Sequence, residues 1–428
     1  DASEHDFKTV FGDEHDPNKK MFNIGQPLDM DTPVCLDLDR FIERSNGIFG
    51  KSGTGKSFLT RLALCGIIHR QAAVNLIFDM HNEYGWQARS ENKGEVTVKG
   101  LKQLFPNDVV VFTLDGESTR RRGISDAHEM FIALNQIEIE DLALLKNELN
   151  LSEASIESAI ILREAYGMNW LKSFTDMSTV EIDEFVENGK GHGGALKALQ
   201  RKLMKILDLK YVRSVSVHDS INSILKYIES GKNVILEFGS QNNLLSYMLA
   251  TNIITRRIHK KYVEVSEAYN ADPINHKPPK KLVITIEEAH KFLDPSIAKQ
   301  TIFGIIAREM RKYFVTLLIV DQRPSGIDNE ILSQIGTRIT ALLNDDKDID
   351  AVFTGVSGGS TLKTVLSQMD PKQQALILGY AVPMPVVVKT RSYNAEFYKA
   401  MGYLEINEEN KAEIIKKGSK AESELFPV

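Results

Sequence analysis

The octapeptide Gly50-Lys-Ser-Gly-Thr-Gly-Lys56-Ser57 limits what this chain can fold into more than any other feature. It satisfies G-x-x-x-x-G-K-[ST] at each fixed position. The short apolar run Gly47-Ile-Phe-Gly50 leads into it. Behind it, from Ser57 to Arg70, Phe58, Leu59, Leu62, Leu64, Ile67 and Ile68 recur at helical spacing. A strand, a glycine-rich turn and a helix in that order turn backbone N–H groups inward around phosphate oxygens. The helix start adds partial positive charge. In such a loop Lys56 reaches the β- and γ-phosphates, and the Ser57 hydroxyl ligates Mg²⁺. Gly50, Ser52, Gly53, Thr54, Gly55 and Phe58 complete the expected binding segment. The implied ligands are ATP and Mg²⁺.

A phosphate loop of this kind needs a parallel sheet behind it, and the chain supplies the strands. Val74–Phe78, Val109–Leu114, Val234–Phe238, Leu282–Ile286 and Val315–Val320 are short runs of Val, Ile, Leu and Phe. Such runs suit strands buried on both faces. Helical stretches such as Leu244–Lys261 and Ser296–Lys312 separate them. Ile339–Leu343, Ala375–Leu378 and Val386–Lys389 continue the series. The alternation predicts an α/β fold, a RecA-like core with a doubly wound, mostly parallel sheet. Its two parts are residues 41–118 and 230–393. Residues 119–229 carry helical periodicity and almost no strand-like runs, and read as a helical insertion. Residues 1–40, polar and rich in turn formers up to 34, read as an N-terminal arm. Residues 394–428 read as a C-terminal arm with one weak helix at Glu408–Lys417.

The chemistry beyond the loop sits at strand ends. Leu282–Ile286 runs into Glu287-Glu288-Ala-His290. Two carboxylates at the carboxyl end of a strand lie where open α/β sheets bind ligands. Glu287 is assigned to the metal and its bound water, and Glu288 to the general base. The alternative is an acidic helix start. Asp79 and Glu83 follow the second strand and either face the nucleotide or cap a helix. Gln322, in Asp321-Gln-Arg-Pro-Ser325, is placed to sense the γ-phosphate. Arg308 and Arg311 either lie on a solvated helix face or reach into a neighbouring subunit as an arginine finger. Arg338 and Arg44 are further candidates of that kind. Basic clusters at Arg120-Arg121-Arg122, at Arg201, Lys202, Lys205, Lys210 and Arg213, and at Arg256, Arg257, Lys260 and Lys261 are solvated faces or phosphate contacts. No His/Cys metal site stands out.

Composition narrows the setting. The net charge of −6 argues against a protein that coats nucleic acid with its whole surface, so any DNA contact must be local. No apolar run approaches the ~18 to 20 residues that span a bilayer. Cys35 and Cys65 are the only cysteines, too few for a disulfide framework and consistent with a reducing cytoplasm.

The motifs in sequence also resemble a known family. They are an Arg before the loop strand, Gly-Lys-Ser-Gly-Thr-Gly-Lys-Ser, Asp-Met-His-Asn-Glu-Tyr and a helical insertion. Ile-Glu-Glu-Ala-His, Ala-Arg-Glu-Met-Arg-Lys, Asp-Gln-Arg-Pro-Ser and Leu-Ser-Gln-Ile-Gly-Thr-Arg follow. Together they resemble the HerA helicase/translocase family, within the FtsK–HerA group of ring ATPases, from about Leu36 to Tyr393. The resemblance implies an ATP-hydrolysing homohexamer with double-stranded DNA threaded through a central pore. It implies Lys56, Ser57, Glu287 and Glu288 in one subunit and an arginine finger from the next, with Arg311 preferred. It also implies a partner: a nuclease of the NurA type in DNA-end resection, or an effector such as an NADase in antiphage defence. Family members carry an N-terminal β-barrel; residues 1–40 are too few to form one, and the resemblance implies either that they are its remnant or that the barrel is absent. The other function class is a ring scaffold that assembles an effector and uses ATP as a switch. A membrane-anchored conjugative or segregation pump is more remote, because no anchor is visible.

Overall fold

The computed structural model describes residues 4–89, 97–189, 191–215, 218–299, 301–356, 359–371 and 373–403. Among them, twelve strands join one sheet. In chain order they are β1 (Met21–Pro27), β2 (Val34–Asp37), β3 (Asn46–Phe49), β4 (Val74–Asp79), β5 (Val109–Thr113) and β6 (His128–Glu129). The rest are β7 (Asn233–Glu237), β8 (Leu282–Glu287), β9 (Val315–Asp321), β10 (Thr337–Thr340), β11 (Gln374–Gly379) and β12 (Val386–Thr390). Across the sheet the order is β2-β1-β12-β11-β10-β3-β9-β8-β4-β7-β5-β6. From β10 to β6 each neighbouring pair is parallel. The four strands at the other edge are antiparallel.

The central strands are apolar for a physical reason. All residues of β4, β8 and β9 are buried, because helices cover both faces of a parallel sheet. The helix Lys56–His69 buries ten consecutive residues from Leu59 to Ile68. The long helix Leu244–Ala271 starts behind an Asn243 cap whose side chain accepts the Ser246 N–H. β3 lies between β9 and β10, so the loop that follows it opens at the same edge as the ends of β8 and β9.

The described part of residues 1–40, from Glu4 on, is not an arm. A helix, Glu4–Phe11, precedes β1, and β1 and β2 are hydrogen-bonded members of the main sheet. Phe22, Ile24, Val34 and Leu36 are fully buried. Gly25 is required where β1 meets β12, since a Cβ there would lie 2.3 Å from the Lys389 carbonyl oxygen. The Arg391 guanidinium lies over the Phe22 ring and holds Glu14 at 2.9 Å. The sequence signal was weak because β1 mixes apolar residues with Asn, Gly, Gln and Pro, and its partner comes from the far end of the chain.

Between 119 and 229 the chain is mostly helical, with helices Glu153–Tyr166, Trp170–Thr175, Thr179–Glu187 and Gly193–Leu207. Trp170, Phe174, Leu162, Leu199 and Leu203 are fully buried and continuous with the core. These helices lie within one compact unit spanning Asp1–Arg391. At their borders the α/β pattern persists: β6 extends the sheet, and the helix Ser220–Glu229 packs on β7. A second unit begins at Ser392. In it Asn394 caps the helix Ala395–Ala400, and Tyr393, Phe397, Tyr398 and Tyr403 form an aromatic cluster. The helix expected at Glu408–Lys417 lies outside the described residues. Among the described residues no helix is long and apolar enough to cross a membrane.

If β1 is integral to the sheet, Phe22→Ala removes a fully buried ring and costs about 3–5 kcal/mol of stability. Urea unfolding monitored by circular dichroism measures it; a loss below about 1 kcal/mol, the scale of a surface change, would restore the arm.

Candidate functional site

Four adjacent parallel strands, β9, β8, β4 and β7, each end in a buried acid: Asp321, Glu287, Asp79 and Glu237. Charges cannot be buried without compensation, and each acid is compensated differently. Asp321 accepts the His290 N–H at 2.7 Å and the Arg323 N–H at 2.6 Å, and lies 2.9 Å from His290 Nδ1. Asp79 accepts the N–H groups of Glu83, Tyr84 and Gly85 at 2.7 to 3.0 Å. Glu237 pairs with Arg122 at 2.5 Å and accepts from Thr119 Oγ1 at 3.2 Å, leaving Oε1 without a partner. Among the described residues the Glu287 carboxylate accepts only from the Tyr84 hydroxyl, at 2.7 Å on Oε1, and its Oε2 is buried with no partner.

Of these four only Glu287 lines the cleft that opens at this edge. The cleft has a volume of about 550 Å³. Ser52, Gly53, Gly55, Lys56 and Ser57 form one wall, and Glu287, Glu288 and Gln322 also line it. Gly53 and Gly55 take φ of +78° and +89°, left-handed values that glycine adopts freely. Gly55 caps the helix Lys56–His69 with no side-chain bond, so its first N–H groups remain available to an anion. The loop is braced from outside the cleft. Thr54 Oγ1 donates to the Lys51 carbonyl at 2.7 Å, Lys51 N–H to Leu342 O, and Gly50 N–H to Asp321 O.

Glu288 follows directly but turns off the strand, at φ 49° and ψ 41°. A left-handed glutamate costs about 1–3 kcal/mol of local strain. The turn lets two successive carboxylates enter one cleft, where continued strand geometry would send them to opposite faces. Gln322 Nε2 donates to Glu288 Oε1 at 3.3 Å, and the His290 ring stands 3.7 Å from Oε2. Burial is the largest cause lifting the Glu287 carboxyl to about 8. Asp79 and Glu83 push the same way, while the Tyr84 bond and Lys56 oppose it. Burial and then Glu237 lift Asp79 to about 7, against its three backbone donors.

Several expected residues lie elsewhere. Asp79 does not face the nucleotide cleft; it is buried beneath the loop 80–85 and fixes it, whereas Glu83 lines the cleft. Gly50 and Thr54 brace the loop without lining it, and a Cβ on Gly50 would lie 2.9 Å from both Ala341 Cβ and Thr54 Oγ1. Phe58 packs under the Arg61 guanidinium, 5.5 Å from the ring centroid, outside the cleft lining. Arg338 is buried, bonds the carbonyls of Leu332 and Thr354, and is lowered to about 10 by burial, so it is neither a nucleotide ligand nor a finger. Arg44 stacks on Tyr380, 4.8 Å from its centroid. Arg308 bonds the Ala298 carbonyl with Nη2 at 3.3 Å, and its Nη1 is buried without a partner. Arg311 is 63% exposed, with only a loose 3.8 Å pair to Glu43.

Sequence reasoning missed the supports. Tyr84, Tyr247, Asp321, His290 and Arg61 carry no periodicity that distinguishes them from core or turn residues. Two of the basic clusters are neutralised at their arginines. Arg120, Arg121 and Arg122 pair with Glu129, Glu117 and Glu237. Arg256 pairs with Glu138 and Asp141, and Arg257 with Asp219. Among the described residues no group of three or more His, Cys, Asp or Glu could hold a metal by protein ligands alone. Magnesium retains several waters and takes one or two protein oxygens plus phosphates. Glu287, whose Oε2 has no partner, lines the same cleft as Ser57 and fits that demand.

A profile of the family described as "Helicase HerA, central domain" matches residues 22–258. The chain is 24% identical over 406 residues to the "DNA double-strand break repair helicase HerA" of Sulfurisphaera tokodaii, covering 92% of this chain and 73% of that one. Its fold is similar to that of VirB4 of Thermoanaerobacter pseudethanolicus, with a TM-score of 0.55 at 14% identity over 88% of this chain and 98% of that one. The plasmid coupling protein TrwB in complex with ADP and Mg²⁺ gives a TM-score of 0.51 at 12% identity, over 87% and 95%.

The raised carboxyls make a signed prediction. Free of nucleotide, the folded chain holds protons that the unfolded chain releases, so the Glu287 contribution to stability is full below about pH 4.5 and is lost as pH rises to about 8, and that of Asp79 is lost as pH rises to about 7. A metal requires the carboxylate. Binding of ADP with Mg²⁺ at pH 7 should therefore release protons, and ADP in EDTA should not. Calorimetry in two buffers of different ionisation enthalpy reads this; equal heats in both buffers would contradict it.

Proposed function

The chain belongs to the HerA helicase family, and on that premise we propose that it is an ATP-driven motor that moves along double-stranded DNA as a homohexameric ring. It is an enzyme of the ATPase, helicase type. The observation that carries the proposal is one cleft lined by Lys56 and Ser57 as well as by Glu287, Glu288 and Gln322.

In this reading the Gly53–Gly55 backbone and the helix start hold the phosphates of ATP, and the Lys56 ammonium draws in the β- and γ-phosphates. Ser57 Oγ and Glu287 Oε2 would hold Mg²⁺, which supplies neutralisation of the charge developing on the phosphates. Glu288, partly exposed in the cleft, takes the proton of the attacking water. Gln322, bonded to Glu288, orients it and senses the γ-phosphate. Arg311, exposed and only loosely paired, is the finger offered to a neighbouring subunit. The DNA substrate is supported by the name of the relative, a double-strand break repair helicase. Exposed Arg201 and Lys205 supply local positive charge in a chain of net charge −6. A motor of that kind feeds DNA ends to a partner, a nuclease of the NurA type; an NADase effector in antiphage defence is the other partner class.

Three outcomes test this. Linear duplex DNA should stimulate hydrolysis, with the stimulation falling as salt rises. Glu288→Gln should bind ATP but lower kcat by about 10²- to 10⁴-fold. It should also stop any effector function that depends on movement, whereas a scaffold would keep supporting its effector. Arg311→Ala should lose about 10³- to 10⁵-fold. Co-assembling Arg311→Ala with Glu288→Gln subunits should regain activity, because some interfaces then pair an intact Glu288 with an intact Arg311. No recovery in mixed rings would remove Arg311 from the trans role, and indifference to DNA would remove the motor.

A further inference from the structure

Glu287 is gripped by two tyrosine hydroxyls, and neither belongs to the phosphate loop. Tyr84 Oη donates to Glu287 Oε1 at 2.7 Å. Tyr247 Oη accepts the Glu287 N–H at 2.9 Å and donates to the Glu287 carbonyl at 3.0 Å. Both rings are fully buried. Tyr247 is wedged edge-on against Phe238 and Phe292, with centroids at 5.2 and 5.4 Å. The backbone of Glu287 is thus held by one tyrosine and its carboxylate by the other. A glutamate held at Oε1 has little freedom left, and Oε2 is its remaining acceptor.

Tyr84 is itself held at both ends. Its N–H and those of Glu83 and Gly85 are bound by Asp79. The preceding carbonyl, Glu83 O, accepts from Arg61 Nε at 3.1 Å and Nη2 at 2.7 Å. Arg61 is buried and lies on the helix that begins at Lys56. A continuous set of contacts therefore runs from the phosphate-loop helix through Arg61, Glu83 O and Tyr84 to the carboxylate of Glu287. The same loop brings His81 and Glu83 into the cleft.

We propose that Tyr84 is the positioning residue that presents Glu287 to the nucleotide-bound divalent cation, and that the loop 80–85 thereby sets the metal affinity of the site. The inference rests on the functional reading above, since it takes Glu287 as the metal-facing carboxylate. Oriented ligand oxygens bind metal more tightly because their partners have already removed the rotational freedom that binding would otherwise cost. Tyr84 touches neither substrate nor metal and acts through Glu287.

The test is Tyr84→Phe, which deletes one hydroxyl and keeps the ring, beside the unaltered chain and Glu287→Gln. Mn²⁺ is the probe, its binding to the ADP-loaded protein read by electron paramagnetic resonance. Tyr84→Phe should hold Mn²⁺ about 10- to 100-fold more weakly, while its affinity for ADP in EDTA stays at the parent value. The rise in melting temperature on adding Mg²⁺ to the ADP complex should shrink in parallel. That rise is a difference within each variant, so it reports the metal even where Phe lowers overall stability. Parent-like Mn²⁺ affinity in Tyr84→Phe, with affinity lost in Glu287→Gln, overturns the role of Tyr84 and leaves the site reading intact. Parent-like affinity in Glu287→Gln overturns both.

Discussion

Parallel strands of nearly equal reach bring their carboxyl ends to one edge, and here four neighbouring ends are acids. Asp321, Glu287, Asp79 and Glu237 would repel one another and resist burial. Most of the local architecture can be traced to how that conflict is resolved. Backbone donors and His290 quiet Asp321. Three successive N–H groups quiet Asp79, and Arg122 quiets Glu237. The Glu287 carboxylate receives one hydroxyl, keeps one oxygen unpartnered, and is alone among the four in lining the cleft. A site is defined as much by the compensation withheld from one group as by the compensation given to its neighbours.

This arrangement also explains where the loops go. The loop after β4 must curl tightly so that its N–H groups reach Asp79. That curl delivers Tyr84 to Glu287 and Glu83 to the cleft. The loop after β7 is tied to it through Asn82, which accepts the Gly239 N–H at 2.9 Å. Asp115, after β5, accepts the Ser240 N–H at 3.2 Å. The nucleotide side of the sheet is therefore continuous, through hydrogen bonds, with the helix Gly116–Arg121 and the segment that enters the helical layer.

Legibility differed by kind of residue. The strands β4, β5, β7, β8 and β9 could be read directly, since burial on both faces forces continuous apolar runs. β1 and β2 could not, because an edge pairing formed across most of the chain length leaves only a mixed pattern such as Met-Phe-Asn-Ile-Gly-Gln-Pro. Lys56, Ser57, Glu287, Glu288 and Gln322, which line one cleft, stood out in the sequence because phosphate and metal chemistry calls for those residue types at strand and helix ends. Asp79 and Arg338 looked equally suited to a ligand. A carboxylate that serves N–H groups and a guanidinium that serves carbonyls have the same sequence appearance as ones that face solvent. Their partners are backbone atoms, which carry no residue identity.

By itself the sequence determined the phosphate loop, the acidic strand end opposite it and the parallel sheet that brings them together. Each of these is local, set by residue type and spacing within a few turns of chain. Only the tertiary structure decided which of four buried acids lines the cleft, which arginines are consumed by internal carbonyls and carboxylates, and that Tyr84 rather than a phosphate-loop residue secures Glu287. Those outcomes depend on atoms that meet across distant segments, where burial and the count of available donors, not adjacency in sequence, fix the electrostatic balance.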